Sequence, residues 1–294
     1  MELFSKKVLS LTQEFRRHLD GILSQQEAEA MAQLLMEDLT GKSLAFILAD
    51  QDSEWNEIQI EKILYVLSGL RDNQPFQYLM GYTEFMDRKF KVRQEVLIPR
   101  GETEELVLWI IEDLKAKGVG SGKNLRMLDV GCGSGIIGIM LAVNFPDAEV
   151  ICCDKYKRPL ELTCENALDN KVDIECRQID VLYKNELLAD ESFDVIVSNP
   201  PYVTNAQKKV MPDNVVDYEP SEALYVSDDD PLIFYREIAK IAQQSLNPGG
   251  ALYYEINEEL GAETRELLLL NFNLVELRQD IHSRDRMIKA SNET

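Results

Sequence analysis

Apolar residues near the amino terminus recur at helical steps. Leu3, Val8, Leu11, Phe15 and Leu19 stand three to five residues apart, the spacing of a helix with one apolar face. Ser24 and Glu27 form a capping-box pattern ahead of a second helix, Ala28 to Leu39, which Gly41 ends. A third helix is expected at Leu44–Ala49. A fourth is expected from Glu54 to Leu70, with Ile58, Ile60, Ile63, Leu64 and Leu67 apolar. Together they predict a small helical bundle. Over residues 82–98 the period changes to two: Phe90 and Val92 alternate with Lys89, Lys91 and Arg93, the pattern of a hairpin between domains. Thr103 to Lys117 reads as a helix stopped by Gly118 and a flexible Gly118-Val119-Gly120-Ser121-Gly122.

From Leu125 onward strands and helices alternate. Strands are expected at 125–130, 149–154, 172–179, 193–198, 251–256, 274–280 and 284–290, and helices at 136–143, 159–169, 231–246 and 261–271. Such alternation predicts an α/β domain with a mostly parallel sheet covered on both faces. The expected division is a helical bundle over 1–73, a linker with the hairpin over 74–102, and the α/β domain over 103–294. There is no internal repeat and no low-complexity tract.

Composition narrows the function. The chain has 294 residues, 45% of them apolar, the make-up of an ordinary globular protein. Its 31 basic and 52 acidic side chains give a net charge of −21. Duplex-binding proteins neutralise phosphates with clustered Lys and Arg. The densest basic stretch here, Arg88 to Arg93, is short, so no direct nucleic-acid partner is expected. The five cysteines are odd in number and contain no C-x-x-C, which suits a reducing cytoplasm. With two histidines, no metal site is expected. No apolar run reaches the roughly 18 residues of a membrane span.

Two segments carry candidate chemistry. The apolar strand Phe193-Asp194-Val195-Ile196-Val197 runs into Asn199-Pro200-Pro201-Tyr202. Neither proline has an N–H for a ladder, so the strand stops abruptly. Asn199 and Tyr202 are then presented from a stiff turn beyond a strand's carboxyl end, where α/β sheets bind ligands. An amide oxygen, a proline carbonyl and an aromatic face suit a planar NH2 group. The second segment is the strand Leu125–Val130 with Gly131-Cys132-Gly133-Ser134-Gly135 and an apolar helix. Gly133, Gly135 and Gly138 also fit the dinucleotide pattern of a dehydrogenase. Asp154 follows about twenty residues later, where an acid can take the two ribose hydroxyls of an adenosine. NAD and S-adenosylmethionine share that ribose. Asp129, just before the first glycine, and the Asn-Pro-Pro-Tyr turn distinguish them.

Asp129-x-Gly131-x-Gly133-x-Gly135 resembles the first motif of class I S-adenosylmethionine-dependent methyltransferases, and Asn199-Pro200-Pro201-Tyr202 is similar to the motif of enzymes that methylate planar amino nitrogens. Gln74-Pro75-Phe76-Gln77-Tyr78-Leu79-Met80-Gly81 with Glu84-Phe85 looks like one family element, and Leu97-Ile98-Pro99-Arg100-Gly101-Glu102-Thr103-Glu104 looks like another. In the second, Gly101 replaces the usual proline. Tyr218-Glu219-Pro220 resembles a third. Together these resemble the peptide chain release factor glutamine methyltransferases, the PrmC/HemK family.

The resemblance implies a Rossmann-like domain of seven strands, the last antiparallel. It implies S-adenosylmethionine as cofactor, held by Asp129, Gly131, Cys132, Gly133, Ser134, Gly135, Asp154, Asp180 and Asn199. It implies a glutamine held by Asn199, Pro200, Pro201 and Tyr202, with Asn199, Pro200 and Tyr202 acting in catalysis. The implied partner is a class 1 release factor carrying Gly-Gly-Gln, docked on the bundle, and the implied enzyme is a cytoplasmic monomer. Glu102 and Glu104 equally suit a helix start, where acids oppose the dipole. The competing readings are a nucleic-acid amino-methyltransferase acting on adenine, which would need positive charge and a target-recognition region, and a non-catalytic cofactor-binding accessory protein, which would tolerate loss of Asn199 or the glycines.

Overall fold

The computed structural model describes residues 6–50, 53–118, 125–183, 188 and 191–292. Leu3 and most of the glycine-rich segment after Gly118 lie outside the described residues. The chain divides into two compact units. One is Met1–Gly81 with Pro212–Tyr218; the other is Tyr82–Met211 with Glu219–Thr294.

The first unit is helical: α1 Leu11–His18, α2 Gln25–Thr40, α3 Leu44–Ala49, α4 Glu57–Arg71 and α5 Phe76–Met80. The Ser24/Glu27 capping box is formed, and Gly41 closes α2 in the left-handed region at φ 65°. Helix α4 starts at Glu57 instead of the expected Glu54, because Asn56 and Gln59 build a second capping box. Helix α5, which periodicity did not reveal, is one short turn between Pro75 and Gly81. Leu11, Phe15, Leu35, Ile63, Val66 and Phe76 fill a shared core.

The second unit opens with a hairpin, β1 Tyr82–Phe85 and β2 Arg88–Lys91. Its turn residues Met86 and Asp87 take φ 47° and 60°, the paired left-handed geometry that a two-residue hairpin turn requires. Then follow α6 Gly101–Ala116, β3 Arg126–Val130, α7 Ile136–Asn144, β4 Glu149–Asp154, α8 Lys157–Asn170, β5 Glu175–Gln178, β6 Phe193–Ser198 and β7 Val203–Thr204. Helix α9, Asp213–Tyr218, lies in the stretch that belongs to the first unit. The chain continues through α10 Ser221–Leu224, β8 Tyr225–Val226, α11 Ile233–Ser245, β9 Leu246–Glu255, α12 Gly261–Leu269, β10 Leu274–Gln279 and β11 Asp285–Ser291. Strand β5 is shorter than the expected 172–179, since Lys171 ends α8 at φ 59° and the Val172 N–H turns back to the Ala167 carbonyl. Helix α8 begins two residues before Pro159, since a first-turn proline lacks only an N–H that has no helical partner.

A seven-stranded sheet runs in the order β10-β11-β9-β6-β3-β4-β5. β9, β6, β3, β4 and β5 are parallel neighbours, and β11 is antiparallel to β9 and β10. Period two explains the unbroken apolar strands. Met127, Val150, Val195 and Tyr253 pack beneath α6 and α7, while their chain neighbours Leu128, Ile151, Ile196 and Tyr254 pack on the other face with α11. Both faces are buried, so both sets must be apolar. The sheet therefore fixes the carboxyl ends of β3, β4, β6 and β9 beside one another.

Candidate active site

The chain leaves β3 through a turn made of backbone. Gly131, Gly133 and Gly135 take φ 71°, 56° and 79°, conformations that side chains resist. The Gly131 and Cys132 N–H groups donate to the Cys153 carbonyl at 2.8 and 3.0 Å. A Cβ at Gly135 would stand 2.5 Å from Thr163 Cγ2, and one at Gly138 would stand 2.4 Å from Cys152 Sγ. These two glycines set how closely α7 lies to its neighbours. Gly131 and Gly133 meet nothing within 4 Å on that side and open onto a cavity.

That cavity, of about 700 Å³, is lined by Gly131–Ser134, Asp154, Tyr156, Asp180–Leu182, Thr103 and Ser198–Pro201, among others. Asp154 ends β4 and is almost fully buried. Its Oδ2 accepts from the Gly133 N–H at 3.1 Å and its Oδ1 from the Tyr156 N–H at 2.9 Å. Burial raises its pKa above the ordinary carboxylate range, and the backbone bonds oppose that rise. Each oxygen keeps a lone pair for a hydroxyl. Asp180 follows β5. It accepts from Leu182 N–H at 3.1 Å and faces Lys155 Nζ at 3.1 Å.

Asp129 lies outside the lining. It is buried, and its Oδ2 accepts from the Gly138 N–H in the first turn of α7 at 2.9 Å. Its Oδ1 is buried with no hydrogen-bond partner among the described residues. Burial, and secondarily Asp154 nearby, push its pKa up to about 7. Gly135 also stands back from the lining, against Thr163.

At the acceptor end, Asn199, Pro200 and Pro201 line the cavity. Asn199 Nδ2 donates to Thr103 Oγ1 over a long 3.4 Å. Tyr202 packs against the sheet face that carries α11, and its hydroxyl donates to Glu255 Oε1 at 3.0 Å. Sequence reasoning passed over Glu255, the buried last residue of β9, whose Oε2 accepts from Thr103 Oγ1 at 2.6 Å. It also missed Glu219 as a structural anchor. That buried carboxylate lines the cavity and receives the Ile98 N–H at 3.2 Å and Arg100 Nη2 at 2.5 Å. The available signal was Glu255 closing a long apolar run, and Arg100 and Glu219 within two quoted motifs. Glu104 holds the hairpin turn: the Met86 N–H donates to its carboxylate at 3.0 Å. Glu102 is exposed.

The residues fit S-adenosylmethionine. The backbone cradle is open where a Cβ would otherwise stand. A buried acid lies at one end and an apolar wall, including Val181 and Leu182, at the cavity's flank. The volume lies within the usual range for ligand sites.

Comparison with known proteins agrees with this layout. The family model described as PrmC N-terminal domain matches residues 11–81, and that of the Methyltransferase small domain matches 109–217. The release factor glutamine methyltransferase of Flavobacterium psychrophilum is 42% identical over 280 residues, 95% of this chain and 96% of its own. That of Bacteroides thetaiotaomicron is 36% identical over 96% of this chain and 99% of its own. Among solved structures, the catalytic domain of hMettl16 in complex with the MAT2A 3'UTR hairpin 6 superposes with a TM-score of 0.53 at 15% identity, covering 82% of this chain and 84% of its own. At that identity the likeness concerns the fold. Near-complete alignment to two such relatives places the chain in the family of release factor glutamine methyltransferases.

Proposed function

We infer that this enzyme transfers a methyl group from S-adenosylmethionine to the side-chain amide nitrogen of a glutamine, the Gly-Gly-Gln glutamine of a class 1 peptide chain release factor. One observation carries the reading. The Asn199-Pro200-Pro201 turn and the Gly131–Ser134 turn with Asp154 line one cavity of one compact unit. A planar amide and an adenosyl cofactor can thus be held side by side.

S-adenosylmethionine supplies an electrophilic methyl on a sulfonium. The remaining work belongs to the chain. An amide nitrogen is a poor nucleophile because its lone pair is delocalised, as the peptide rotation barrier of about 18–20 kcal/mol shows. Asn199 Oδ1 and the Pro200 carbonyl accept the two N–H bonds of the glutamine amide. These bonds strengthen as positive charge grows on nitrogen, so they favour the transition state over the bound substrate. Tyr202, with its hydroxyl on Glu255, stiffens the turn that presents both acceptors. Asp154 takes the ribose hydroxyls, Asp180 stands by the adenine, and the Gly131–Ser134 backbone approaches the methionine end. Fixing both reactants replaces a bimolecular encounter. The methylated amide is strongly acidic while cationic, so its proton leaves without a dedicated base.

The helical unit is proposed to dock the protein substrate. Phe46 is 71% exposed and Ile58 78%, apolar surface that this unit offers to a partner. The enzyme is proposed to work as a cytoplasmic monomer that binds no nucleic acid directly. Among the described residues, no helix is long and apolar enough to cross a membrane. Incubation with methyl-labelled cofactor and a class 1 release factor, followed by mass spectrometry, should place one methyl on the glutamine side chain. Methylated adenine, or binding of NADH without S-adenosylmethionine, would overturn the assignment. Phe46→Asp with Ile58→Asp should raise KM about tenfold for the folded release factor and leave a short Gly-Gly-Gln peptide unaffected, as loss of a second contact predicts. Equal changes for both substrates would remove the docking role.

A further inference from the structure

Asn199 can serve as an acceptor only if its amide is turned the right way. An asparagine carries an acceptor oxygen and a donor nitrogen of nearly the same shape. Reversed, it would present two N–H bonds to the two N–H bonds of a glutamine amide and repel it. Something in the protein must hold the oxygen toward the cavity.

We propose that Glu255 is a positioning residue that sets this orientation through Thr103. The chain of contacts has a direction. An ionised carboxylate has no proton to give, so it can only accept. Glu255 Oε2 lies 2.6 Å from Thr103 Oγ1, so the Thr103 proton points at Glu255. The Thr103 oxygen then has only lone pairs left for Asn199. The Asn199 atom facing it at 3.4 Å is therefore the donor, Nδ2, and Oδ1 is left for the substrate. Catalytic hydrogen bonds in ligand-free enzymes are often long and shorten in the complex. Glu255 Oε1 does the same for Tyr202 at 3.0 Å, so one carboxylate anchors the turn at two points, Asn199 through Thr103 and Tyr202 directly. Residues 103, 199, 202 and 255 come from three separate parts of the chain, the start of α6, the turn after β6 and the end of β9, and Thr103 and Glu255 are both buried. Water has little access to substitute for either bond.

This inference rests on the reading of Asn199 as the acceptor of the glutamine amide, and it deepens that reading. It also carries a pH consequence. A protonated Glu255 becomes a donor to one neighbour, and the direction of the chain is no longer imposed. The charged and titratable groups near Glu255 are Arg286 of β11, Glu102 of α6, Tyr202 after β6 and Tyr235 of α11. Arg286 is itself held by Asp280 at 3.3 Å and Glu258 at 2.9 Å. Burial moves the Glu255 pKa above the ordinary carboxylate range. Turnover should therefore fall as the pH drops through that raised pKa.

The test compares Thr103→Val, Thr103→Ser, Glu255→Gln and Asn199→Ala in the full-length enzyme. It uses a class 1 release factor and S-adenosylmethionine, with cofactor affinity measured by calorimetry. Thr103→Val keeps the shape and loses the hydroxyl. It should lower kcat by about 10–100-fold, the usual effect of losing an orienting partner. KM and cofactor affinity should stay within about twofold, and the acid limb of the kcat profile should flatten. Thr103→Ser should restore most of kcat. Glu255→Gln should behave like Thr103→Val; if it fails to fold, the Thr103 pair still decides. Wild-type kcat and an unchanged acid limb in Thr103→Val, with Asn199→Ala inactive, would overturn the positioning role alone. Unimpaired glutamine methylation by Asn199→Ala would overturn the underlying reading, and the inference with it.

Discussion

Two buried carboxylates flank the cavity from opposite sides of β6. Asp129 ends the cofactor side on β3, and Glu255 ends the acceptor side on β9. Each is about 1% exposed, and burial raises the pKa of each. Their bonding differs. Glu255 has a hydroxyl on each oxygen, from Thr103 and Tyr202. Asp129 has one backbone N–H on Oδ2, and its Oδ1 has no partner among the described residues. A satisfied buried carboxylate is a rigid anchor, whereas an unsatisfied one stores a cost of order 1–3 kcal/mol. The acceptor end is thus assembled from side chains locked in advance. The cofactor end is assembled from backbone and carries an unmet polar group beside its turn.

The sharpest way to test this contrast is to remove one side chain from each end. Asn199→Ala should cut turnover by about 10²–10³, as for loss of one preorganised partner, with cofactor affinity nearly unchanged. Single-turnover kinetics with saturating cofactor would read the first, and calorimetry the second. A collapse of cofactor affinity with normal turnover of the bound complex would show that the two ends are not separable.

Asp154→Ala should do the reverse at the other end. Losing the proposed bonds to ribose hydroxyls should weaken S-adenosylmethionine by roughly 1.5–3 kcal/mol, read as an increase in Kd of about 10–150-fold. The rate at saturating cofactor should change little. Part of the loss will come from the Gly133 and Tyr156 N–H groups, which Asp154 also holds. Asp154→Asn keeps one acceptor for them and should fall between the two. If Asp154→Ala left affinity unchanged, the acid would serve only the backbone turn.

The same contrast explains what the sequence could and could not reveal. The cofactor turn is local: Asp129 to Gly138 spans one strand end and one helix start, so glycine spacing exposes it. The parallel sheet was legible because period-two burial on both faces forces adjacent apolar residues such as Met127-Leu128 and Val195-Ile196-Val197. The acceptor turn was legible at Asn199-Pro200-Pro201, where two prolines break a strand. Its support was not. Thr103 and Glu255 lie 152 positions apart, and no periodicity relates a first-turn threonine to the last residue of a distant strand. Tyr202 read as a ring for stacking, because nothing local shows that its hydroxyl meets Glu255. Short pieces such as α5 and β5 were missed or overextended because their ends are set by Gly81 and Lys171 in left-handed conformations, and a lysine gives no warning of that role.

A further expected effect, and the most direct reading of the Asp129 side, is on stability. Burial raises the Asp129 pKa from 3.8 in the unfolded chain to about 7 in the folded one. A carboxyl group raised in this way favours the folded state fully below the unfolded value. That contribution is lost as pH rises from about 4 through 7, because the unfolded chain releases its proton first. At 1.36 kcal/mol per pKa unit, the loss is at most about 4 kcal/mol. Asp129→Asn keeps an oxygen for the Gly138 N–H and never ionises. At pH 4 the variant and the wild type should unfold at nearly the same temperature. By pH 8 the variant should be the more stable, by up to about 8–16 °C at 2–4 °C per kcal/mol for a domain of this size. Thermal unfolding of both proteins across that range would read the difference directly, and taking the difference cancels the titration of groups that do not interact with Asp129. A gap that stayed constant from pH 4 to pH 8 would mean that Asp129 has an ordinary carboxylate pKa. Its Oδ1 would then have to be hydrated or hydrogen-bonded, and the contrast between the two ends would disappear.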